Sequence, residues 1–192
     1  MRVVGGACKG RRLVSFKGRD IRPTSDKVRE AVFNILTAGS PWRFAAVLDL
    51  FAGTGAMGIE ALSRGSKAAF FIDGDQASIA VVRKNLAGCG LEDSARVLRK
   101  DALSAIRHLS GTGQRFDLVF IDPPYGTTLA PDTLKAVEQE GLLNPEGVAV
   151  VETSVRAPLE EGATGFSLAV HRRYGDTLVY VFIAGQRQDR LG

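Results

Sequence analysis

The tetrapeptide Asp122-Pro123-Pro124-Tyr125 places a carboxylate, bare backbone carbonyls and an aromatic ring within four positions. Two prolines fix φ and remove two N–H donors, so this turn offers acceptors only, held rigidly beside a stacking surface. An amino group conjugated to a planar base is a poor nucleophile because its lone pair is delocalised. Carbonyl and carboxylate acceptors that hold its N–H groups favour localising that pair for attack. Tyr125 would stack on the base, which must first leave its own stack to reach the turn. Asp122, Pro123 and Tyr125 are therefore the candidate catalytic residues. Taken by itself the same tetrapeptide is also an ordinary Asp-Pro turn that ends a strand, and the rest of the chain has to decide between the two.

A second constellation lies upstream. Val47-Leu48-Asp49-Leu50-Phe51-Ala52-Gly53-Thr54-Gly55-Ala56-Met57-Gly58 reads as a strand, a glycine turn and the start of a helix. Glycines there let the backbone approach a ligand and present N–H groups at a helix N-terminus. Gly53, Gly55 and Gly58 match the dinucleotide pattern G-x-G-x-x-G, and Asp73 follows Gly53 by 20 residues, the spacing of a ribose-binding acid. Alone, the pattern fits a nicotinamide cofactor, another adenosine-containing cofactor or a βα turn without a ligand. Asp49 shifts the balance: its carboxylate lies beneath the loop, where a pyrophosphate is repelled and a positively charged cofactor is favoured. Lys100-Asp101-Ala102 follows the third strand, so acids stand at or just beyond strands one, two and three, on the carboxyl edge where open α/β sheets bind ligands. The candidate cofactor-binding set is Asp49, Phe51, Gly53, Thr54, Gly55, Asp73, Asp101, Ala102 and Asp122.

The elements that must position these residues alternate. From Arg43 onward, apolar runs of strand length at 46–51, 68–72, 95–98, 118–121 and 148–152 are separated by stretches of helical period, which predicts βαβ units and a mostly parallel sheet. Helices are expected over 57–64, 76–87 and 131–140, the last with Pro131 in its first turn, and Gly65, Gly88 and Gly141 stand where C-terminal caps belong. The runs 166–172 and 178–184 leave no room for a helix between them. Tyr174-Gly175-Asp176 supplies a turn, so the chain ends in a β-hairpin that adds an antiparallel strand at one edge. Ahead of the first core strand, Thr24 or Ser25 can cap a helix over 26–36 whose Val28, Ala31, Val32, Ile35 and Leu36 form an apolar stripe.

Length and charge bound the rest. The 192 residues support one ordinary domain with a small appendage, and 45% hydrophobic with 24% charged residues excludes disordered, collagenous and coiled-coil classes. The apolar runs are far shorter than the roughly 20 residues a membrane helix needs. The first residues lack a secretory signal, so the cytoplasm is expected. Cys8 and Cys89 stand in unrelated contexts and support neither a disulfide framework nor a four-ligand zinc site; with His108 and His171 far apart, no metal is expected. Residues 1–22 hold seven basic side chains against Asp20, a net of +6; the whole chain is +4, so the remainder carries −2. A basic arm on a slightly acidic body suits a polyanion, and Lys9, Arg11, Arg12 and Arg22 are its candidate RNA contacts. The domain reading is accordingly a basic arm or hairpin over 1–24 and a catalytic domain over 25–192. His171, beside Arg172 and Arg173, is read as a solvated strand edge, and Trp42 as packing.

The order Asp49…Gly53-Thr54-Gly55, Asp73, Asp101, Asp122-Pro123-Pro124-Tyr125, closed by a terminal hairpin, resembles the class I S-adenosylmethionine-dependent methyltransferases of exocyclic amino nitrogens. Three stretches look more narrowly like the bacterial 16S ribosomal RNA guanine-N2 methyltransferases: Arg2-Val3-Val4-Gly5-Gly6 with Lys9-Gly10-Arg11, then Arg22 to Asn34, then Tyr174-Gly175-Asp176-Thr177. The resemblance implies a Rossmann-like α/β fold with a doubly wound seven-stranded sheet, order 3-2-1-4-5-7-6 and strand seven antiparallel, plus a small basic N-terminal extension. It implies that Gly53 and Gly55 pass close to the cofactor, Asp73 binds the ribose hydroxyls, Asp101 holds the adenine amino group, and Asp122 with Tyr125 holds the target guanine. Asp49 would lie near the methionine moiety or order the loop. Asp73 departs from the glutamate expected in the family, with a shorter reach and the same chemistry. A monomeric enzyme acting on 16S ribosomal RNA, within the small subunit, follows from the resemblance. The alternatives are an adenine-N6 methyltransferase on DNA or RNA, a nicotinamide-dependent oxidoreductase, and a non-catalytic RNA-binding factor of the same fold.

Overall fold

The computed structural model describes residues 1–15, 26–38, 42–124, 127–160 and 162–185. Val47 and Leu48 of the first strand are fully buried on opposite sides, which is what a strand covered on both faces requires. That strand, β1 (Ala46–Asp49), is preceded by α1 (Asp26–Leu36) and followed by α2 (Ala56–Ser63), β2 (Ala68–Asp73) and α3 (Gln76–Cys89). Then come β3 (Ala95–Arg99), α4 (Ala102–Gly111), β4 (Phe116–Ile121), α5 (Leu129–Gln139), β5 (Leu143–Ser154), β6 (Ser167–Tyr174) and β7 (Thr177–Ile183). The strands form one seven-stranded sheet, order β3-β2-β1-β4-β5-β7-β6. The first five pair in parallel, and β7 runs antiparallel to both β5 and β6. The expected sheet order and the reversed strand both hold.

Two hydrophobic clusters cover the faces. Phe33, Val47, Ile59, Phe71, Phe120, Val150 and Val179 lie on the side of α1, α2 and α3, while Leu48, Ile106, Val119, Leu134, Val151 and Tyr180 lie on the side of α4 and α5. Trp42 packs as expected: its ring stacks on Phe33 with centroids 5.5 Å apart, meets Phe44 edge-on, and its Nε1 donates to Ser66 Oγ at 3.0 Å. Among the described residues no helix is long and apolar enough to cross a membrane.

All eight residues of α2 are buried, Glu60 and Ser63 among them, because its outer face is covered by the start of the chain. Residues 1–15 fold back on themselves through a bridge between Arg2 and Arg12 and put Val3, Cys8 and Leu13 into the core. Ser63 Oγ donates to the Gly5 carbonyl at 2.6 Å and accepts from Cys8 N at 2.9 Å. Glu60 accepts from Val4 N at 2.8 Å, pairs with Arg64 at 2.8 Å and faces the fully buried Arg29 at 3.7 Å. Arg29 in turn donates to Arg2 O and to Asp26. Cys8 Sγ reaches the Cys89 carbonyl at 3.6 Å, so two cysteines 81 residues apart in the chain meet in space, both free.

One expected cap is displaced. Gly88 lies inside α3, and Gly90 with φ 68 ends the helix, because two further residues, Gly88 and Cys89, continue the helical turn before a left-handed position is needed. Gly65 and Gly141 do follow α2 and α5 with positive φ. Thr24 and Ser25, the expected caps of α1, lie outside the described residues.

Candidate functional site

The parallel ladder fixes the carboxyl edge. Beyond β1, Leu50 N donates to Phe120 O at 3.1 Å and Ala52 N to Ile72 O at 2.9 Å, so the chain leaves β1 still tied to both neighbours. It then turns through Gly53 (φ 53) and Gly55 (φ 77) into α2. Gly55 is the N-cap of α2 in the left-handed region, which a side chain disfavours, and this conformation lets the loop turn over the sheet edge into the helix. Three residues on, a Cβ at Gly58 would collide with the Phe71 ring, so the third glycine is there for close packing of helix on strand.

Three of the strand-end acids grip this loop and its surroundings. Asp73 accepts from Gly53 N at 2.8 Å through one oxygen and from Asp75 N at 2.8 Å through the other, tying the end of β2 to the glycine turn. Asp49 is 4% exposed and accepts from Gly58 N at 3.1 Å. Burial, aided by the charges of Asp122 and Asp73 and opposed by the Gly58 bond, raises its carboxyl from an ordinary 3.8 to about 7. A buried carboxylate with a single backbone N–H partner and two acidic neighbours, held partly protonated for want of a counter-charge, suits a ligand with a cationic group. Asp101 is exposed and caps α4 by accepting from Ser104 N at 2.9 Å; that bond holds its carboxyl below the ordinary range. Ala102 beside it is buried. Phe51 is half-buried against the cluster on the α4 and α5 side, and Thr54 is buried in the loop.

Across the switch from β1 to β4, Asp122 follows β4 directly, close enough to Asp49 to raise its carboxyl. Pro123 is buried, Pro124 is exposed, and the Pro124 carbonyl accepts from Thr127 Oγ1 at 2.9 Å. The structure thus brings Asp49, Asp73 and Asp122 to one stretch of the sheet edge, with Asp101 one strand further out. Tyr125 lies outside the described residues, as does Arg22. Lys9, Arg11 and Arg12 are all exposed on the N-terminal segment; Arg11 also spends one N–H on the Gly88 carbonyl at 2.6 Å.

Two further polar residues belong to this region, and sequence reasoning missed both. Asn85 of α3 is buried and donates to the Thr54 carbonyl at 2.8 Å while exchanging bonds with Val14 N at 2.7 Å and Val14 O at 3.0 Å, so it joins the glycine loop to the N-terminal segment. Nothing in a helix pattern marks such a residue. Glu152, 3% exposed, is the acid near the end of β5. It was signalled, because the rule that picks out acids after strands one to four picks it out when carried one strand further.

A family model described as conserved hypothetical protein 95 matches residues 1–183. The chain is 37% identical over 168 residues to the ribosomal RNA small subunit methyltransferase D of Escherichia coli K12, covering 88% of this chain and 82% of that protein. It is 33% identical over 162 residues to the Haemophilus influenzae protein of the same name, covering 83% and 81%. Among solved structures, the hypothetical protein TTHA0928 of Thermus thermophilus superposes with TM-score 0.80 at 26% identity, over 94% of this chain and 98% of that one.

Proposed function

We propose that this chain, which belongs to the conserved hypothetical protein 95 family together with the ribosomal RNA small subunit methyltransferases D, transfers a methyl group from S-adenosylmethionine to the exocyclic N2 of a guanine in 16S ribosomal RNA. The observation that carries it is the position of the Asp49 carboxylate, 4% exposed and bonded to Gly58 N at the start of α2, between the glycine loop and the Asp122-Pro123-Pro124 turn. A dinucleotide pyrophosphate has no favourable place over that charge, whereas a cofactor with a cationic sulfonium and amino group does.

In this reading the loop Phe51, Gly53, Thr54 and Gly55 holds the cofactor over the edge of the sheet, with Asp49 beneath it. Asp73 keeps acceptor capacity for the ribose hydroxyls beyond the two amides it already serves. Asp101, anchored as the cap of α4, offers its second oxygen to the adenine amino group, and Ala102 its backbone. The cofactor supplies an electrophilic methyl on a sulfonium, and the group that leaves is a neutral thioether. Asp122 and the Pro123 carbonyl accept the two N–H groups of the target amine, which draws the lone pair out of conjugation and aims it. Asp122 then holds the proton that the amine must lose. Tyr125 stacks on the extruded base. The rigid double proline keeps the acceptors from rearranging as the amine is held, which is where such a turn gains over a flexible one. The enzyme works without a metal, as a cytoplasmic monomer, on RNA presented by the small ribosomal subunit. Lys9, Arg11, Arg12 and Arg22 contact phosphates, with residues 1–24 as the RNA-binding arm of a domain spanning 25–192.

The experiment is methyl transfer from labelled S-adenosylmethionine to small subunits lacking their native modification, beside naked 16S RNA and DNA, with the labelled nucleoside identified after digestion. N2-methylguanosine from RNA supports the reading. N6-methyladenine keeps the site and overturns the base, and no label with the cofactor bound points to the non-catalytic alternative.

A further inference from the structure

We propose that Glu152 reads the Watson–Crick edge of the target base, accepting the N1–H of guanine and excluding adenine; this rests on the reading of the chain as a guanine-N2 methyltransferase. Strands β4 and β5 pair in parallel through Ile121 opposite Val151, so the next residues, Asp122 and Glu152, are neighbours across the sheet. Phe120 and Val150 face the cluster on the side of α1 to α3, and Ile121 with Val151 the other. Pleat alternation therefore puts the Asp122 and Glu152 side chains on one face, on strands about 4.8 Å apart. Asp49 of β1, two positions beyond Val47, falls on that same face. The order along the edge is thus the cofactor-side acid, the acid beside the reacting amine, and Glu152.

Glu152 is 3% exposed and is among the residues lining a cleft of about 170 Å³ beside the Pro123-Pro124 turn. Burying a carboxylate is costly, and a carboxylate offers about four acceptor positions, so contacts within the protein leave capacity for a ligand donor. Guanine presents N2–H and N1–H side by side. With N2 held by Asp122 and the Pro123 carbonyl, N1–H is the next donor along the edge and Glu152 the next acceptor. Adenine presents a lone pair at N1, which a carboxylate repels. A site built to accept a substrate N–H discriminates strongly against an analogue that lacks it, because the acceptor is left buried and unpaired.

The test uses small-subunit RNA carrying guanine, 2-aminopurine or adenine at the position the wild type methylates, assayed with wild type and Glu152→Gln. 2-Aminopurine keeps the reacting amine but has a lone pair at N1. Wild-type kcat/KM is expected to fall at least about 100-fold from guanine to 2-aminopurine. The amide that Glu152→Gln introduces can donate an N–H to that lone pair, so the preference shrinks below about tenfold and turnover of 2-aminopurine rises, while the loss of O6 affects both proteins alike and cancels. Cofactor binding by Glu152→Gln stays at the wild-type level. A wild type that accepts 2-aminopurine as well as guanine overturns the proposal without any variant, and so does a variant that slows on both bases by the same factor. Wild-type label in adenine would overturn the guanine reading and this inference together; label in guanine with an unchanged ratio overturns this inference alone.

Discussion

Asp49 is the residue whose energetics should be most visible in solution. Its carboxyl titrates at about 7 in the folded chain against 3.8 ordinarily, so between those values the folded protein holds a proton that the unfolded one has lost. Stability contributed by this group is therefore fully present below about pH 4 and lost as pH rises to about 7, a decline of about 4 kcal/mol. A cationic ligand over the loop favours the charged form, so cofactor affinity should strengthen as pH rises through 7. Thermal unfolding at pH 6 and pH 8, with and without S-adenosylmethionine, should show a larger ligand-induced shift at the higher pH, and an equal shift at both would remove Asp49 from the cofactor's reach. Asp49→Asn should be more stable than wild type at pH 8 without ligand, bind the cofactor more weakly, and lose the pH dependence. Asp122→Ala should lower kcat/KM by about 10² to 10⁴ with cofactor binding retained, as loss of a positioned acceptor does. At this scale the sequence was informative where an acid ended a strand, since Asp49, Asp73, Asp101 and Asp122 all stand where strand ends placed them. It was silent on Asn85, whose partners are backbone atoms of Thr54 and Val14 far away in the chain.

Among the elements, the strands were legible because their residues are buried on both faces and therefore uniformly apolar, as in 118–121 and 179–182. Their margins were not. β5 begins at Leu143, five residues earlier than expected, and passes through Pro145 and through Glu146 at φ 61, neither of which a strand pattern admits. The N-terminal segment was readable as basic but not as packed, since three core residues, Val3, Cys8 and Leu13, follow neither the helical nor the strand period. Its seat depends on a few polar groups of α2. Ser63→Ala removes the bonds to Gly5 O and Cys8 N and leaves both without that partner, which should cost about 1 to 3 kcal/mol and speed amide exchange over residues 3–13 while α4 and α5 stay protected. Uniform acceleration across the chain would mean that the segment unfolds only with the whole domain. Glu60 is the more severe case. It serves Val4 N and two arginines from within the core, so Glu60→Ala leaves Arg29 buried with its charge uncompensated on that side, and urea unfolding should register a loss of about 3 to 5 kcal/mol.

For the molecule as a whole, the sheet order matters more than any one element, because the switch between β1 and β4 is where chain direction from one half to the other opens a crevice. Asp49 and Asp73 flank it on one side, Asp122 and Glu152 on the other, and the N-terminal segment enters beside the first pair, with Thr54 Oγ1 donating to Met1 Sδ at 3.9 Å. Charge follows the same division: a net of only +4 hides a segment strongly positive and a body slightly negative. An RNA strand held by that segment would therefore be steered toward the loop side of the crevice and kept off the acidic body. Lys9 and Arg12 test this better than Arg11, whose guanidinium also holds the Gly88 carbonyl and so belongs to the segment's own seat. Replacing Lys9 and Arg12 together by alanine removes up to two phosphate contacts, which should flatten the slope of log K against log salt by about 1.5 and weaken RNA binding most at low ionic strength. The effect should be the same on RNA with and without the target guanine, since phosphates carry no sequence information, and S-adenosylmethionine affinity should not change. Arg11→Ala should weaken RNA binding and also loosen the segment, visible as faster exchange near Cys8. If instead the Lys9 and Arg12 pair leaves the salt slope untouched, the phosphates lie against another face, and the exposed Arg172 and Arg173 of β6 are the next positions to replace.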